Sequence, residues 1–273
     1  MYIVTLSSDI GQHDYLVAAV KGQLLSYNSS LNIVDITHYL SQSNFPKAAY
    51  ICNNAFRRFP EGTCHVVLLS TFESNDNQIL VARHNNQFIV CPDNGILTMI
   101  LKEKPKDVVA LRINDEHTLL ERTELIAKAV DQLSRNTPID TVGTVVTTII
   151  EKYPLRPSIG PNWIDGQILF IDNFENVIIN ITKEEFEEYR KGRNFKIVFK
   201  GDEMIDTISN NYSSVNEGEP LAWFNSAGYL EIAINKGNIA SLFGLQGFNE
   251  KMQQHVASLP SKWFYQSVRI YFQ

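Results

Sequence analysis

The feature that most constrains this chain is a change of hydrophobic rhythm at Tyr153–Gly166, YPLRPSIGPNWIDG, where proline and glycine cluster. Before that point, short apolar runs alternate with segments whose apolar residues recur at three- and four-residue spacing. Tyr2–Leu6 reads as a buried strand, and Leu16, Val17, Val20 and Leu24 then mark a helix. Leu31–Ile36 is a second strand. Asn44-Phe45-Pro46 opens a helix carrying Ala48, Ala49, Cys52, Ala55 and Phe56, which Phe59–Gly62 stops. His65–Leu69 is a fully apolar strand, Ile79–Ala82 and Gln87–Cys91 form a hairpin through His84-Asn85-Asn86, and Glu121–Leu133 is an amphipathic helix. Strands alternating with helices predict a largely parallel, sandwiched α/β sheet.

After the proline-rich stretch come short β-type runs at Gln167–Ile171, Val177–Ile181, Phe195–Phe199, Leu221–Phe224, Tyr229–Ile234 and Ser267–Phe272, with one helix, Lys183–Gly192. That pattern predicts a small barrel or sandwich. The expected organisation is an N-terminal α/β domain over 1–155, a linker at 156–163 and a smaller C-terminal domain of short strands over 164–273.

Composition narrows the function. With 273 residues, 44% apolar and 20% charged, the chain has ample core for two soluble domains. No apolar run approaches the roughly 18–20 residues of a membrane helix, and Met1 leads straight into a strand, so a cytoplasmic protein without a membrane partner is expected. The net charge of −6, without a basic patch, argues against nucleic acid. Cys52, Cys64 and Cys91 are widely spaced in apolar surroundings and read as buried free thiols. Scattered histidines offer no metal-ligand spacing, so neither a metal nor another cofactor is expected.

Leu6–Gly22 is the stretch where chemistry concentrates. Ser7, Ser8, Asp9 and Gly11 break the first strand, and Asp14 stands at the expected N-cap of the first helix. Two carboxylates, Asp9 and Asp14, thus sit where a strand hands over to a helix, the edge of an open α/β sheet where ligands collect. A carboxylate there repels phosphate but suits a cis-diol, because it accepts from both hydroxyls of a ribose. The same residues also serve as a turn and a cap, and spacing alone leaves both readings open.

Further motifs carry a resemblance. Ser7-Ser8-Asp9-Ile10-Gly11 with Asp14 and Lys21-Gly22, Ile36-Thr37-His38, Phe59-Pro60 with Gly62-Thr63, and Pro92-Asp93-Asn94-Gly95 follow in order through the first half. Ile171-Asp172 with Phe174, Asn176 and Ile179-Asn180-Ile181, then Asn225-Ser226 with Gly228–Ala233, follow in the second. This series resembles the SAM hydroxide adenosyltransferase family, whose relatives include enzymes that fluorinate or chlorinate S-adenosylmethionine (SAM). The resemblance implies an N-terminal α/β domain joined to a small C-terminal β-barrel, hydrolysis of SAM to adenosine and methionine, a homotrimer, and SAM held between one subunit's N-terminal domain and its neighbour's C-terminal domain. It also implies roles: Asp9 for the ribose diol, Phe174 and Asn176 for the adenine, Asp172 and Ser226 for the methionine amine and carboxylate.

The departures fall on the chemistry. The family's Asp, in a VDPGVG loop, aligns with Ser70 of Leu69–Ser74, and its Arg with Asn77 or Gln78. Its His aligns with Glu121, with His117 one turn earlier; Ala227 and Ser43 replace an arginine and an aromatic of the halogenating relatives. Glu121 as the water-activating base, with Ser70 or Glu73 hydrogen-bonded nearby, is therefore the expected catalytic set, while Arg122, adjacent on the helix, points elsewhere. The alternative expectation is a SAM- or adenosine-binding protein without turnover; Glu121 is then simply a first-turn acid.

Overall fold

The computed structural model describes residues 2–73, 77–200, 203–242 and 267–273. The chain divides into two compact units, Met1–Pro154 and Leu155–Gln273.

In the first unit the elements are β1 Ile3–Ser8, α1 Leu16–Tyr27, β2 Asn32–Thr37, α2 Phe45–Phe56, β3 Cys64–Leu68, β4 Gln78–His84, β5 Gln87–Pro92, α3 Ile96–Leu101, β6 Asp107–Arg112, α4 Leu119–Ser134, α5 Ile139–Val142 and β7 Thr144–Val145. They build one sheet in the order β2-β1-β3-β5-β4-β6-β7. β2, β1, β3 and β5 pair in parallel, whereas β4, β6 and β7 join by antiparallel pairings. The sheet is largely parallel with antiparallel members: β2, β1, β3, β5 and β6 run one way, and β4 and β7 the other, because the tight β4–β5 hairpin can return only antiparallel. β6 has no counterpart in the sequence reading; its apolar run is short and begins at an aspartate.

Alternate residues of β3 face opposite layers. Val66 and Leu68 join one core with Leu6, Val20 and Leu24, and Val67 and Leu69 join the other with Ala48, Cys52 and Phe56. A strand buried on both faces must be apolar throughout, which is why His65–Leu69 shows no alternation. The three cysteines are buried and free, and burial pushes the Cys52 and Cys64 thiols up to about 12.

Local chemistry sets the helix starts. The Asn44 side chain accepts the Lys47 N–H at the head of α2, and Thr118 and Glu121 form a reciprocal capping box on α4. Asp14 differs from expectation: α1 begins at Leu16 with Tyr15 in the cap position. The Asp14 carboxylate instead accepts the Leu16 N–H at 2.9 Å, the short-range turn bond that aspartate forms two residues ahead of itself.

The second unit holds β8 Ser158–Gly160, β9 Trp163–Ile171, β10 Val177–Thr182, α6 Lys183–Arg190, β11 Phe195–Lys200, β12 Glu203–Ile205, a 3-10 turn at Tyr212–Ser214, β13 Pro220–Phe224, β14 Tyr229–Ile234, α7 Ile239–Leu242 and β15 Ser267–Phe272. The strands run antiparallel in the order β12-β11-β15-β9-β10-β14-β13, with β8 on β9. After β12, Ile208 bridges Ala222, and the Ser209 N–H donates to the Ala222 carbonyl at 2.7 Å, nearly closing the barrel. Phe186 of α6 is fully buried and packs on Phe195, Phe224 and Phe272. The stretch 156–163, expected as a linker, contains β8 and the first residue of β9. Its glycine serves a close approach: any Cβ on Gly160 would collide with the Trp163 indole.

One buried group makes stability depend on pH. His65 on β3 is fully enclosed, with Nδ1 2.7 Å from Thr5 Oγ1 and its ring stacked on Phe56 at 3.8 Å. Burial lowers its pKa from 6.5 to about 4. The folded state thus binds this proton less readily than the unfolded chain. The stabilisation is complete above pH 6.5 and is lost as the pH falls toward 4, by about 3 kcal/mol at the full shift. Urea unfolding should show that decline, and His65→Gln should flatten it relative to the parent.

Candidate functional site

The first unit contains a change of winding direction. From β1 the chain crosses to β2 on one side, and β3 lies on the other. The carboxyl ends of β1 and β3 therefore flank the crevice where open α/β sheets bind ligands. Asp9 follows β1 and Ser70 follows β3. The Asp9 N–H donates to the Leu68 carbonyl at 3.0 Å, and Asp9 Oδ2 accepts the Ser70 N–H at 2.8 Å. Asp9 Oδ1 has no hydrogen-bond partner among the described residues.

Ser70 occupies the left-handed region, with φ of 47°, a conformation unusual for a residue with a Cβ. Its hydroxyl is buried without a hydrogen-bond partner among the described residues. The strained turn is braced by Asn94, whose Nδ2 donates to the Leu69 carbonyl at 2.8 Å and whose Oδ1 accepts the Ile96 N–H at 3.2 Å. Asp93, fully buried, accepts from Gln78 Nε2 at 2.7 Å and from the Ile150 N–H at 2.8 Å. The Pro92–Gly95 motif thus fixes the loop after β3. Its asparagine and aspartate were legible as a motif, but their bracing role depends on contacts distant in sequence.

The Asp9 turn is tied from the other side by the end of β2. Ser8 Oγ lies 2.8 Å from His38 Nδ1, and both side chains are buried. His38 Nε2 is 3.2 Å from Asp35 Oδ1, and Asp35 pairs with Lys21 at 2.5 Å. Burial alone would raise the Asp35 carboxyl, but hydrogen bonds and charge from Lys21 and His38 outweigh it and hold it below the usual range. The Gly11 N–H donates to the His38 carbonyl at 2.7 Å and the Leu40 N–H to the Ser8 carbonyl at 2.9 Å.

The residues aligned with the family's remaining catalytic positions have other partners. Glu121 Oε2 accepts from the Thr118 N–H at 2.7 Å and from Thr118 Oγ1 at 2.8 Å. Those two bonds hold its carboxyl below the ordinary glutamate range. Asn77 donates to Asp115, and Gln78 to Asp93. The His117 ring accepts the Asn114 N–H at 3.4 Å. Arg122, expected to point elsewhere, does the opposite. It is buried, its Nη1 donates to the Thr71 carbonyl at 2.7 Å, its Nε donates to the His117 carbonyl at 3.1 Å, and its guanidinium lies 4.4 Å from the centre of the Phe72 ring. A cation therefore reaches the loop after Ser70 from a helix position that spacing alone directs away from it. Asp14 remains exposed at the start of α1.

In the second unit Asp172, Phe174 and Asn176 share the β9–β10 turn. Asp172 Oδ1 accepts the N–H groups of Phe174 and Asn176, each at 2.9 Å, and Oδ2 accepts Asn176 Nδ2 at 3.2 Å. Phe174 is left 77% exposed, the most exposed large apolar side chain among the described residues. Ser226 is exposed on the β13–β14 turn, where Asn225 Oδ1 accepts the Ala227 N–H at 3.0 Å. Among the described residues there is no group of three or more His, Cys, Asp or Glu side chains arranged to hold a metal ion, and no helix is long and apolar enough to cross a membrane.

Comparisons with known proteins agree with this architecture. Residues 4–143 match the family model of the SAM hydroxide adenosyltransferase N-terminal domain, and residues 166–250 match that of the C-terminal domain. The chain is 27% identical to an (R)-S-adenosyl-L-methionine hydrolase of Methanocaldococcus jannaschii, over 91% of this chain and 94% of that protein. It is 26% identical to a protein of the same name from Thermus thermophilus, over 88% and 94%. It is 25% identical to a fluorinase of Actinopolyspora mzabensis, over 89% and 94%. A solved structure of an uncharacterized conserved protein from Thermotoga maritima shares the fold with a TM-score of 0.77 at 21% identity, covering 98% of this chain and 99% of that one. With both domain models matched in order across most of its length, the chain belongs to the SAM hydroxide adenosyltransferase family.

Proposed function

We propose that this protein hydrolyses SAM to adenosine and L-methionine. The oxygen of water or hydroxide attacks the ribose C5′, the C5′–sulfur bond breaks, its electron pair leaves with sulfur to give the thioether of methionine, and the water proton passes to a base. The observation that carries the reading is Asp9: a carboxylate at the switch point, fixed through one oxygen by the Ser70 N–H and unpartnered at the other among the described residues. That arrangement suits a ribose diol. The hydrolase names of two relatives support the reaction.

Within this reading Asp14 borders the ribose site, Phe174 stacks on the adenine, Asn176 bonds its edge, and Asp172 and Ser226 take the amine and carboxylate of methionine. Asp172 spends both oxygens on its own turn, so its share is the remaining lone pairs of a carboxylate. The buried Ser70 hydroxyl positions the water, and Glu121 is the base. The family resemblance supports a homotrimer whose sites form between subunits, in the cytoplasm and without a cofactor. A sulfonium is already a good leaving group, so the protein's main tasks are to orient the attacking water and hold C5′ in line.

One observation favours a second reading, binding of SAM or adenosine without turnover. The Glu121 carboxylate is closed into its capping box, and the Thr118 bonds that lower its pKa also weaken it as a base.

Chromatography of SAM incubated with the purified protein, against a boiled control, separates the two. Adenosine and methionine should appear together; adenosine at the control level after long incubation overturns the hydrolase reading. Asp9→Ala should weaken adenosine binding by about 1.5–3 kcal/mol, measured by calorimetry, and an unchanged affinity removes the ribose assignment. Glutamine also completes a capping box, so Glu121→Gln isolates the base. Turnover should vanish with binding and melting temperature intact, whereas parental turnover would assign Glu121 to the helix alone.

A further inference from the structure

The barrel turn carries a directional hydrogen-bond chain that the roles above do not use. Glu231 on β14 is buried, and its Oε1 lies 2.5 Å from the Tyr212 hydroxyl. An ionised carboxylate can only accept, so the phenol proton points at Glu231. Burial, and then the bond to Glu231, raise the Tyr212 pKa far above its ordinary value, so the phenol keeps that proton. With its proton committed, the phenol oxygen accepts from Asn176 Nδ2 at 3.3 Å. The other hydrogen of the same amide goes to Asp172 Oδ2 at 3.2 Å.

Both donors of the Asn176 amide are thereby consumed, and Oδ1 is left without a partner among the described residues. The flipped amide would set its carbonyl oxygen against the Asp172 carboxylate and the Tyr212 lone pairs. One orientation therefore wins on electrostatic grounds. Tyr212 is itself held by ring packing against Trp223, at 4.9 Å between centroids.

We propose that Glu231 and Tyr212 are positioning residues that fix Asn176 as a hydrogen-bond acceptor, selecting a purine with an amino group at C6 over one with a carbonyl oxygen there. The inference rests on the nucleoside reading of the Phe174–Asn176 turn and deepens it. An exocyclic amine donates to Oδ1; a 6-oxo group sets oxygen against oxygen and leaves a desolvated acceptor unpaired. The exposed face of Phe174 accommodates either base and contributes affinity without choosing between them.

The experiment is calorimetry of the full chain with adenosine and with inosine. The parent should bind adenosine at least about tenfold more tightly, the size expected for one unpaired buried polar group. Tyr212→Phe keeps the ring against Trp223 and removes the relay, and Glu231→Leu removes the acceptor that aims it; each should bring the adenosine-to-inosine ratio to threefold or less. A purely structural role would weaken both nucleosides alike and leave the ratio unchanged. Equal binding of the two nucleosides by the parent, or a parental ratio in both variants, overturns the relay while the nucleoside reading stands. If neither nucleoside binds to the parent, both readings fall together.

Discussion

The site of the first unit depends on a side-chain hydrogen bond across its switch point, from the Ser70 N–H to Asp9 Oδ2 at 2.8 Å. The ends of β1 and β3 are adjacent because the two strands pair in parallel, with Ser8 level with Leu68. Asp9 and Ser70 follow directly in each strand. The bond satisfies a backbone donor that the left-handed turn at Ser70 would otherwise leave exposed to desolvation. It also holds the carboxylate in one rotamer. Asn94 on one side and the Ser8–His38 pair on the other then remove the remaining freedom of the two loops. A ligand-binding carboxylate is useful in proportion to how little it must reorganise on binding, and here the reorganisation is borne by folding.

The second unit solves a similar problem with different parts. Its turn between β9 and β10 is organised by Asp172, which accepts two backbone N–H groups and one side-chain amide. The Tyr212 hydroxyl, which donates to Glu231 of β14, supplies a second acceptor for the Asn176 amide. Asn173 and Phe174 of this turn are both exposed, Phe174 largely so. In both units, acceptors and donors are paired so that one group is left over among the described residues: a carboxylate oxygen of Asp9 in one case, the amide oxygen of Asn176 in the other.

The positions aligned with the family's Asp, Arg and His show how far a gapless alignment predicts chemistry. Ser70 lies beside Asp9, its N–H donating to the carboxylate. Asn77 and Gln78 are absorbed by acidic neighbours, and Glu121 by the helix cap. Arg122, one residue further along α4, carries a buried positive charge to the carbonyl of Thr71. Helical spacing says which way a Cβ points. A side chain with four rotatable bonds can still turn back toward the preceding residues, and Arg122 does so by bonding the carbonyl of His117.

The sequence by itself determined the division into an α/β unit and a unit of short strands, the principal helices, the apolar strands buried on both faces, and the position of Asp9 at the head of a strand-to-helix turn. Those properties are written in local rhythm: period, breakers and caps act over a few residues, so a few residues reveal them. The tertiary structure alone decided the place of β6 in the sheet, the displacement of the α1 cap to Tyr15, the bracing by Asn94, the reach of Arg122, and the Glu231–Tyr212–Asn176 chain. Each joins groups distant in sequence or depends on which of two hydrogen-bonding partners is nearer. Spacing cannot encode that: the energy of a buried polar contact is set by desolvation and direction, which exist only once the surrounding layers have closed.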